Sequence, residues 1–325
     1  RYGKWDNEIV LTHNEQLIDN YYDVVIVGTP PETHIPIALE ELESKNPPKI
    51  LMVEKPLGTP DLKGCQELLD MSKEKDVFVL CGYNHILTEN TIESEKLINK
   101  GILGESKSLH VQWSEHWGGI FKAHPWVDGP QDYYIGFTAR GGGAMCEHSH
   151  GISIWQHFSH LLGYGKIIEV SATIKEIDDY DETTIISVKT EKGLVGTILM
   201  DVVTNPTVKK VKIQGEYDYM EWEVTETADF VRYSKGSLIF NKRRSDDFVG
   251  EIDYINNLLV CLERIYDSDD INHNSLTLES GLDVMMVIAA ARLSHNTGMS
   301  CIIDYSKGYS LDSIKIKEKN NVFRF

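Results

Sequence analysis

The sequence predicts two domains: an α/β domain with a parallel sheet, followed by an α+β domain built on a large, mostly antiparallel open sheet. The chain has 325 residues, which is more than one ordinary core requires. Its first third alternates short apolar runs with longer amphipathic stretches, whereas strand-like segments follow one another from residue 107 onward. We therefore predict domains at residues 1–84 and 85–325.

The apolar runs of the first domain predict buried strands at residues 24–28, 50–53 and 77–82. These runs are apolar throughout rather than alternating, which is typical of strands with helices on both faces of the sheet. Helices are predicted between the strands, at residues 32–42 and 61–73. The first of these helices is followed by Asn46, Pro47 and Pro48, which stop it.

The second domain is predicted to be rich in strands, several of them bounded by Gly, Asn or Asp turns. The predicted strands lie at residues 108–115, 167–174, 184–190, 194–203, 210–214 and 220–224. Two amphipathic helices then close the chain, at residues 248–266 and 275–296. Gly298 is the expected C-terminal stop of the second helix.

The composition excludes several classes of partner. The chain carries 32 Lys and Arg against 50 Asp and Glu, a net charge of -18, which repels nucleic acid and anionic lipid. No run approaches the roughly 20 apolar residues of a membrane span. The polar residues 1–7 lead into no apolar segment of the kind found in signal peptides. Because the five cysteines are far apart, we expect a reducing compartment and a cytoplasmic protein.

Polar motifs follow each predicted parallel strand, at the sheet edge where open α/β sheets bind their ligands. They are Thr29-Pro30-Pro31-Glu32-Thr33-His34, Glu54-Lys55-Pro56, and Asn84. A fourth motif is the glycine run and the residues after it, Gly141-Gly142-Gly143-Ala144-Met145-Cys146-Glu147-His148-Ser149-His150. In this order and spacing the motifs resemble the family of glucose-fructose oxidoreductase, inositol dehydrogenase and MocA. The resemblance covers nearly the whole chain.

The resemblance implies a Rossmann domain that binds NAD or NADP. It implies hydride transfer between the nicotinamide and a secondary alcohol of a small-molecule sugar, sugar derivative or inositol. The cofactor-binding residues that it implies are Thr29, Pro30, His34, Glu54, Lys55, Pro56 and Asn84. It further implies a cis peptide bond before Pro56 and a second-domain sheet that mediates oligomer contacts, so we expect a homo-oligomer, either a dimer or a tetramer.

Lys55, His150 and Glu147 are the predicted catalytic residues. Oxidation of an alcohol requires removal of its hydroxyl proton, and a lysine at a strand end can hydrogen-bond the developing alkoxide or carry the proton. The neutral imidazole of His150 is suited to accept a proton near neutral pH. On a helix starting near Ala144, Glu147 and His150 share a face, so the carboxylate would orient the imidazole or bind a substrate hydroxyl.

Other interpretations of this region remain open. His157 falls on the same helical face as Glu147 and His150, which would suit a metal, but the spacing matches no familiar zinc signature and we expect none. Ser153 stands where the family usually has a carboxylate, and no arginine follows Asn84, which weakens a claim for an anionic substrate. The aromatic-rich loop at residues 117–140 would contact a sugar ring or anchor itself.

A glycine-rich phosphate loop is missing ahead of Val24, since no strand, G-x-G-x-x-G and helix occur there. Either the sequence starts inside a dinucleotide-binding domain, or the chain does not bind a dinucleotide in the standard way. Two alternative functions are also open: NAD-dependent glycoside hydrolysis, and a non-catalytic regulatory relative that binds dinucleotide. The presence of both Lys55 and His150 argues against the regulatory relative.

Overall fold

The computed structural model describes residues 9–10, 12–13, 22–123, 126–225, 227–233, 276–318 and the backbone of residues 237–243. Its first sheet consists of three parallel strands, β1 (Val24–Val27), β2 (Ile50–Val53) and β3 (Phe78–Cys81), in that order. Helices α1 (Pro31–Glu43) and α2 (Cys65–Glu74) connect them. The predicted α/β pattern is therefore confirmed.

Helix α2 begins later than the predicted residue 61. Leu62 and Gly64 have φ angles of 59° and 76°, and this left-handed conformation cannot be continued into a right-handed helix. Asp61 instead closes a local turn, in which its carboxylate accepts hydrogen bonds from the Thr59 hydroxyl at 2.6 Å and the Lys63 backbone N–H at 3.2 Å. Asp61, the first residue of the predicted helix, thus belongs to the preceding turn.

The second sheet has ten strands within the described residues. In chain order they are β4 (Ser106–Ser114), β5 (Ile167–Ile177), β6 (Tyr180–Thr190), β7 (Val195–Asp201), β8 (Val208–Gly215), β9 (Tyr219–Val224), β10 (Ala228–Tyr233), β11 (Ser237–Arg243), β12 (Cys301–Ile303) and β13 (Ile314–Ile316). Their order across the sheet is β11-β10-β9-β8-β4-β7-β6-β5-β12-β13. Only the β4–β7 pair is parallel among these, so the predicted mostly antiparallel open sheet is confirmed.

Four strands of this sheet were not predicted: β10, β11, β12 and β13. The last two have three residues each, too short to show an alternating pattern. They exist because they extend the sheet beyond β5, with Cys301 opposite Val170 and Ile314 opposite Ile303. The helix predicted at residues 248–266 lies outside the described residues.

Five further helices complete the described chain: α3 (Glu89–Asn99), α4 (Trp117–Ala123), α5 (Ala144–Glu147), α6 (His150–Leu161) and α7 (Leu278–Thr297). Helix α6 packs on β4 and β7, and α7 packs on β5 and β12, so both cover one face of the large sheet. The predicted stop of α7 at Gly298 is confirmed by its φ of 66°. Helix α7 also contacts β3, and the Cys81 N–H donates to the Leu276 carbonyl, so the chain returns to the first sheet there.

Within the described part of the chain, no helix combines the length and the apolar character that crossing a lipid bilayer requires.

Candidate functional site

The ends of β1, β2 and β3 form one edge of the first sheet. Val27, Val53 and Cys81 lie opposite one another, so Gly28, Glu54 and Gly82 follow in the next row. The Glu54 carboxylate reaches across Gly82, where an added Cβ would lie only 2.8 Å from Oε2. The absence of a side chain at Gly82 therefore leaves room for the Glu54 carboxylate, a hydrogen-bond acceptor, at this edge.

Lys55 connects this edge to the glycine-run segment of the other sheet. Its Nζ donates to the backbone carbonyl of Glu147 at 2.9 Å and to Glu147 Oε1 at 3.1 Å. The two side chains are only 18% and 14% exposed, so the ion pair is largely shielded from solvent. The Lys55–Pro56 peptide is cis, as the resemblance implied. The structure thus brings together two of the three predicted catalytic residues.

The loops that follow β1 and β2 are joined by His34. Its Nδ1 lies 2.8 Å from the Pro56 carbonyl oxygen and its Nε2 lies 2.5 Å from the Thr29 carbonyl oxygen. Burial is the main cause that lowers the pKa of His34, and a neutral imidazole can donate from only one nitrogen at a time. The buried ring therefore holds the two loops together, and its predicted contact with a cofactor stays a prediction.

The remaining predicted cofactor residues lie at the same edge. Thr29 is exposed and its hydroxyl accepts a hydrogen bond from the Thr33 hydroxyl at 2.7 Å. Pro30 directly precedes α1, and Pro56 is buried beside His34. Asn84 opens a short 3-10 turn after β3. Their order along the edge follows from the parallel strands, so the sequence could place them even though their roles stay predictions.

His150 lies in a pocket of aromatic rings. Trp113 is stacked on it with ring centroids 5.6 Å apart, and His85 and Tyr83 meet it edge-on at 4.8 and 5.6 Å. Burial is the largest cause that lowers the pKa of His150, and electrostatic interactions with His85 and Lys55 lower it further. The imidazole is therefore neutral near pH 7, which is the form that can accept a proton.

The predicted continuous helix from Ala144 through His150 is wrong in one respect. Helix α5 ends at Glu147, and α6 begins only at His150. The break turns the Glu147 carboxylate toward Lys55 instead of leaving it stacked one turn below His150. Glu147 thus holds the lysine, and its predicted action on the imidazole of His150 stays a prediction.

His157 is the third member of the alternative metal site. Its side chain contacts Glu95, with Nε2 2.9 Å from Glu95 Oε1. No group of three or more histidine, cysteine or carboxylate side chains is arranged for a metal ion within the described residues.

The sequence did not single out the polar pair next to the His150 pocket. Lys209 on β8 lies opposite Trp113, with its Nζ 5.6 Å from the indole centroid, and pairs with Glu115 at 3.2 Å. Lys209 also contributes to the lowered pKa of His150, so its charge acts on the imidazole. Alternation along β4 points Trp113 to the covered face, but only the strand register brings Lys209 beside it.

The aromatic-rich loop serves in part as an anchor. Trp117 stacks on Phe121 with centroids 5.5 Å apart and meets Tyr180 edge-on at 5.7 Å. These rings belong to a small second cluster of buried side chains beside β6. His124 lies outside the described residues, and Trp126 is exposed. For Trp117, the anchoring alternative is therefore the one that the contacts support.

The lowered pKa of His148 predicts how the stability of the protein depends on pH. Burial lowers its pKa to about 4, from an ordinary value near 6.5. The unfolded chain therefore binds a proton that the folded chain rejects between these pH values, so stability falls as pH drops below about 6.5. We expect His148 to contribute a loss of about 1.4 kcal/mol per pH unit in that window. Urea unfolding at pH 7, 6 and 5 measures it.

The matched variant for this experiment is His148→Asn, which removes the titrating ring and keeps a polar side chain. Its unfolding free energy should fall less steeply between pH 7 and 5 than that of the wild type. Equal slopes for the two proteins would show that His148 is not a source of the acid sensitivity.

Solved structures with the same fold are found across nearly all of the chain. Aldose-aldose oxidoreductase from Caulobacter crescentus, in complex with glycerol, has a TM-score of 0.70 and 17% identity, covering 89% of this chain and 82% of that protein. An inositol dehydrogenase homolog from Azotobacter vinelandii, in complex with NAD+, has a TM-score of 0.68 and 15% identity, covering 89% and 80%. At such identities the likeness establishes the fold alone.

The same fold is also used by a protein described as a repressor. The super-repressor mutant of Gal80p from Saccharomyces cerevisiae has a TM-score of 0.68 and 15% identity, covering 89% of this chain and 82% of that one. The fold by itself therefore does not decide between catalysis and regulation.

Sequence comparisons match parts of the chain. An uncharacterized oxidoreductase of Schizosaccharomyces pombe is 28% identical over 119 residues, which cover 36% of this chain and 30% of that relative. The chain therefore matches less than a third of the length of this relative. Residues 4–83 match the family model described as an oxidoreductase family with an NAD-binding Rossmann fold. The match includes β1, β2 and β3, so the sequence likeness to the glucose-fructose oxidoreductase, inositol dehydrogenase and MocA family of oxidoreductases rests on this N-terminal region.

Proposed function

We propose that this protein transfers a hydride between a nicotinamide cofactor, NAD or NADP, and a secondary alcohol of a sugar, sugar derivative or inositol. The observation that carries the proposal is the position of Lys55. Its Nζ lies at the end of the central parallel strand, held by both the carbonyl and the carboxylate of Glu147. A cation fixed in this way at the same sheet edge as the Glu54 carboxylate is suited to bind a hydroxyl oxygen on which negative charge develops.

Lys55, Glu147 and His150 would each have a different role in proton removal. When bound, the nicotinamide would accept the hydride from the alcohol carbon. Lys55 would hydrogen-bond the alcohol oxygen, and Glu147 would keep the ammonium in place. His150, neutral because its pKa is lowered by burial, would accept the hydroxyl proton. The aromatic rings around His150 limit its rotation, which keeps the acceptor nitrogen in a fixed direction.

A polyhydroxylated substrate is favoured by the Lys209–Glu115 pair beside the aromatic pocket. An ammonium donates and a carboxylate accepts, so together they can bind two neighbouring hydroxyl groups. Because Glu115 neutralises Lys209, the pair offers no surplus positive charge for a carboxylate or phosphate. This agrees with the absence of an arginine after Asn84 in the sequence.

Binding and turnover test the proposal separately. The full-length protein would be titrated with NAD+ and NADP+ by calorimetry, then incubated with a panel of sugars and inositols while the absorbance of the reduced nicotinamide is followed. We expect one cofactor to bind and at least one polyol to be oxidised. If neither dinucleotide binds, the proposal is wrong. Sugar released without net cofactor reduction would replace it with glycoside hydrolysis.

A regulatory role is the second candidate, because the fold is shared with Gal80p. Such a protein would bind dinucleotide and turn over no member of the panel. The paired Lys55 and Glu147, together with a neutral His150 whose pKa Lys55 helps to lower, favour catalysis, since a sensor has no need of a proton acceptor.

The remaining expectations from the sequence are kept as proposals. We propose that residues 1–84 form the cofactor domain and residues 85–325 the substrate and oligomer domain, in a cytoplasmic protein. We also propose a homo-oligomer, a dimer or tetramer. Support comes from the face of the large sheet turned away from α6 and α7, where Ile185 and Val195 are exposed on the paired strands β6 and β7. Apolar side chains exposed on an open sheet suit contact with a second copy.

A further inference from the structure

Asp181 is a buried carboxylate near the start of β6, outside every motif noted in the sequence. Its side chain is fully buried, and burial is the largest cause that raises its pKa. Oδ2 accepts hydrogen bonds from the Met145 backbone N–H at 2.6 Å and from the Thr184 hydroxyl at 3.0 Å. Oδ1 accepts one from the Thr138 hydroxyl at 3.3 Å, and the Arg292 guanidinium lies 3.6 Å away. Burying a charge this completely is costly unless it is well paired.

The contacts of Asp181 bracket the glycine run. Thr138 precedes that run and Met145 follows it, so one carboxylate holds both ends of the segment. The fit is close at Gly143, where an added Cβ would lie 2.1 Å from Asp181 Oδ1. Gly143 also has a φ of 87°, a conformation that favours glycine. The glycine is thus required by the carboxylate behind it as well as by the turn.

The segment that Asp181 holds is the one that carries Glu147. Helix α5 has only four residues, and a helix of one turn is not stable by itself. The Met145 N–H belongs to the first turn of that helix, where backbone N–H groups have no partner within the helix. Two residues later, Glu147 holds the Lys55 ammonium with its carbonyl and its carboxylate. The contacts therefore connect β6 of the large sheet to the lysine of the small sheet.

We propose that Asp181 is a positioning residue, which sets the place of Lys55 by fixing the first turn of α5 and through it Glu147. Its catalytic consequence rests on the function proposed above, but its effect on Lys55 does not. Arg292, on α7, balances the buried charge and also contacts Glu176 at 3.2 Å.

A merely structural role makes a different prediction, and Asp201 provides the matched control. This residue is also a buried aspartate at a strand end of the same sheet. It accepts hydrogen bonds from the backbone N–H groups of Val203 and Thr204, at 3.1 and 2.8 Å, and from the Thr204 hydroxyl at 2.9 Å. Its bonds hold a local turn and the Ser114 side chain on β4 rather than the glycine run, so removing it should lower stability without moving Lys55.

The test measures the reactivity of Lys55 without any turnover. The full-length wild type, Asp181→Ala, Asp181→Asn and Asp201→Ala would be acetylated briefly with acetic anhydride, and the labelling of Lys55 relative to exposed Lys49 read by peptide mass spectrometry. We expect the ratio to rise several-fold in Asp181→Ala because Glu147 no longer holds the amine. It should stay at the wild-type value in Asp201→Ala. Asp181→Asn, which keeps an acceptor for the Met145 N–H, should lie between them.

Kinetics then separate positioning from simple loss of stability. With a substrate identified by the panel, Asp181→Ala should lower kcat by about 10²-fold with a smaller change in KM, as expected when reacting groups are misplaced by an ångström. If Asp181→Ala does not fold, the test is whether the Lys55 labelling ratio of Asp181→Asn lies above that of the wild type. An unchanged Lys55 ratio in both folded Asp181 variants, or an equal rise in Asp201→Ala, overturns the proposal. If the Lys55 labelling ratio rises in the Asp181 variants but the wild type oxidises no member of the panel, the positioning role stands and the proposed function is wrong.

Discussion

Replacement of Lys55 by methionine is expected to lower kcat by about 10³-fold, while the dissociation constant for the dinucleotide changes only a few-fold. Methionine has a similar length and keeps the packing of the lysine stem but removes the charge that would hold the developing alkoxide. The proposed cofactor site includes Glu54 and the glycines beside it, Gly28 and Gly82, which this variant leaves in place, so cofactor binding should survive. Steady-state kinetics on the substrate found in the panel, together with calorimetric titration, measure both quantities.

Lys49→Met is the control for this variant. Lys49 precedes β2 of the same sheet and is paired with Asp23 at 2.8 Å, but it is 52% exposed and lies at the other end of the strand from Lys55. An exposed ion pair contributes little, so kcat should stay near the wild-type value. If Lys55→Met retained wild-type kcat, or if both variants lost activity equally, Lys55 would not be the residue that assists proton removal.

The position of Lys55 could be predicted from sequence because the pattern that encodes it is local. The run Ile50–Val53 is apolar at each position, and the structure buries all four side chains. A fully buried run of that length followed by Glu54, Lys55 and Pro56 indicates the carboxyl end of a parallel strand, where ligands bind. Since parallel strands end at one edge, the relative places of Thr29, Lys55 and Asn84 followed from the same argument.

The partners of these residues could not be predicted in this way, because they come from distant parts of the chain. Lys55 and Glu147 are separated by 92 positions, and Met145 and Asp181 by 36. Trp113 meets His150 only because α6 lies over β4, which depends on the register of the whole sheet. No local pattern carries that information. The break between α5 and α6 was missed for the same reason, since the hydrogen bond that fixes α5 comes from β6.

His150 is expected to control the acid side of the activity profile, which distinguishes it from the other buried histidine nearby. Because burial lowers its pKa well below 6.5, His150 is neutral at pH 7, and the rate should fall only when the pH approaches that lowered pKa. In His150→Asn we expect kcat to drop by about 10²-fold and this acid limb to disappear, since asparagine cannot accept the proton. The pH dependence of kcat, measured over the range in which the protein stays folded, tests this.

His148→Asn is the matched control, because it removes a second buried imidazole from the same segment. His148 is only 3% exposed and has its pKa lowered to about 4, yet the ring contacts with Trp113, His85 and Tyr83 belong to His150. His148→Asn should therefore flatten the pH dependence of stability and leave kcat within a few-fold of wild type. His150→Asn should instead lower kcat by about 10²-fold. Equal losses of kcat in both variants would mean that the segment needs its histidines for folding, and the role assigned to His150 would be wrong.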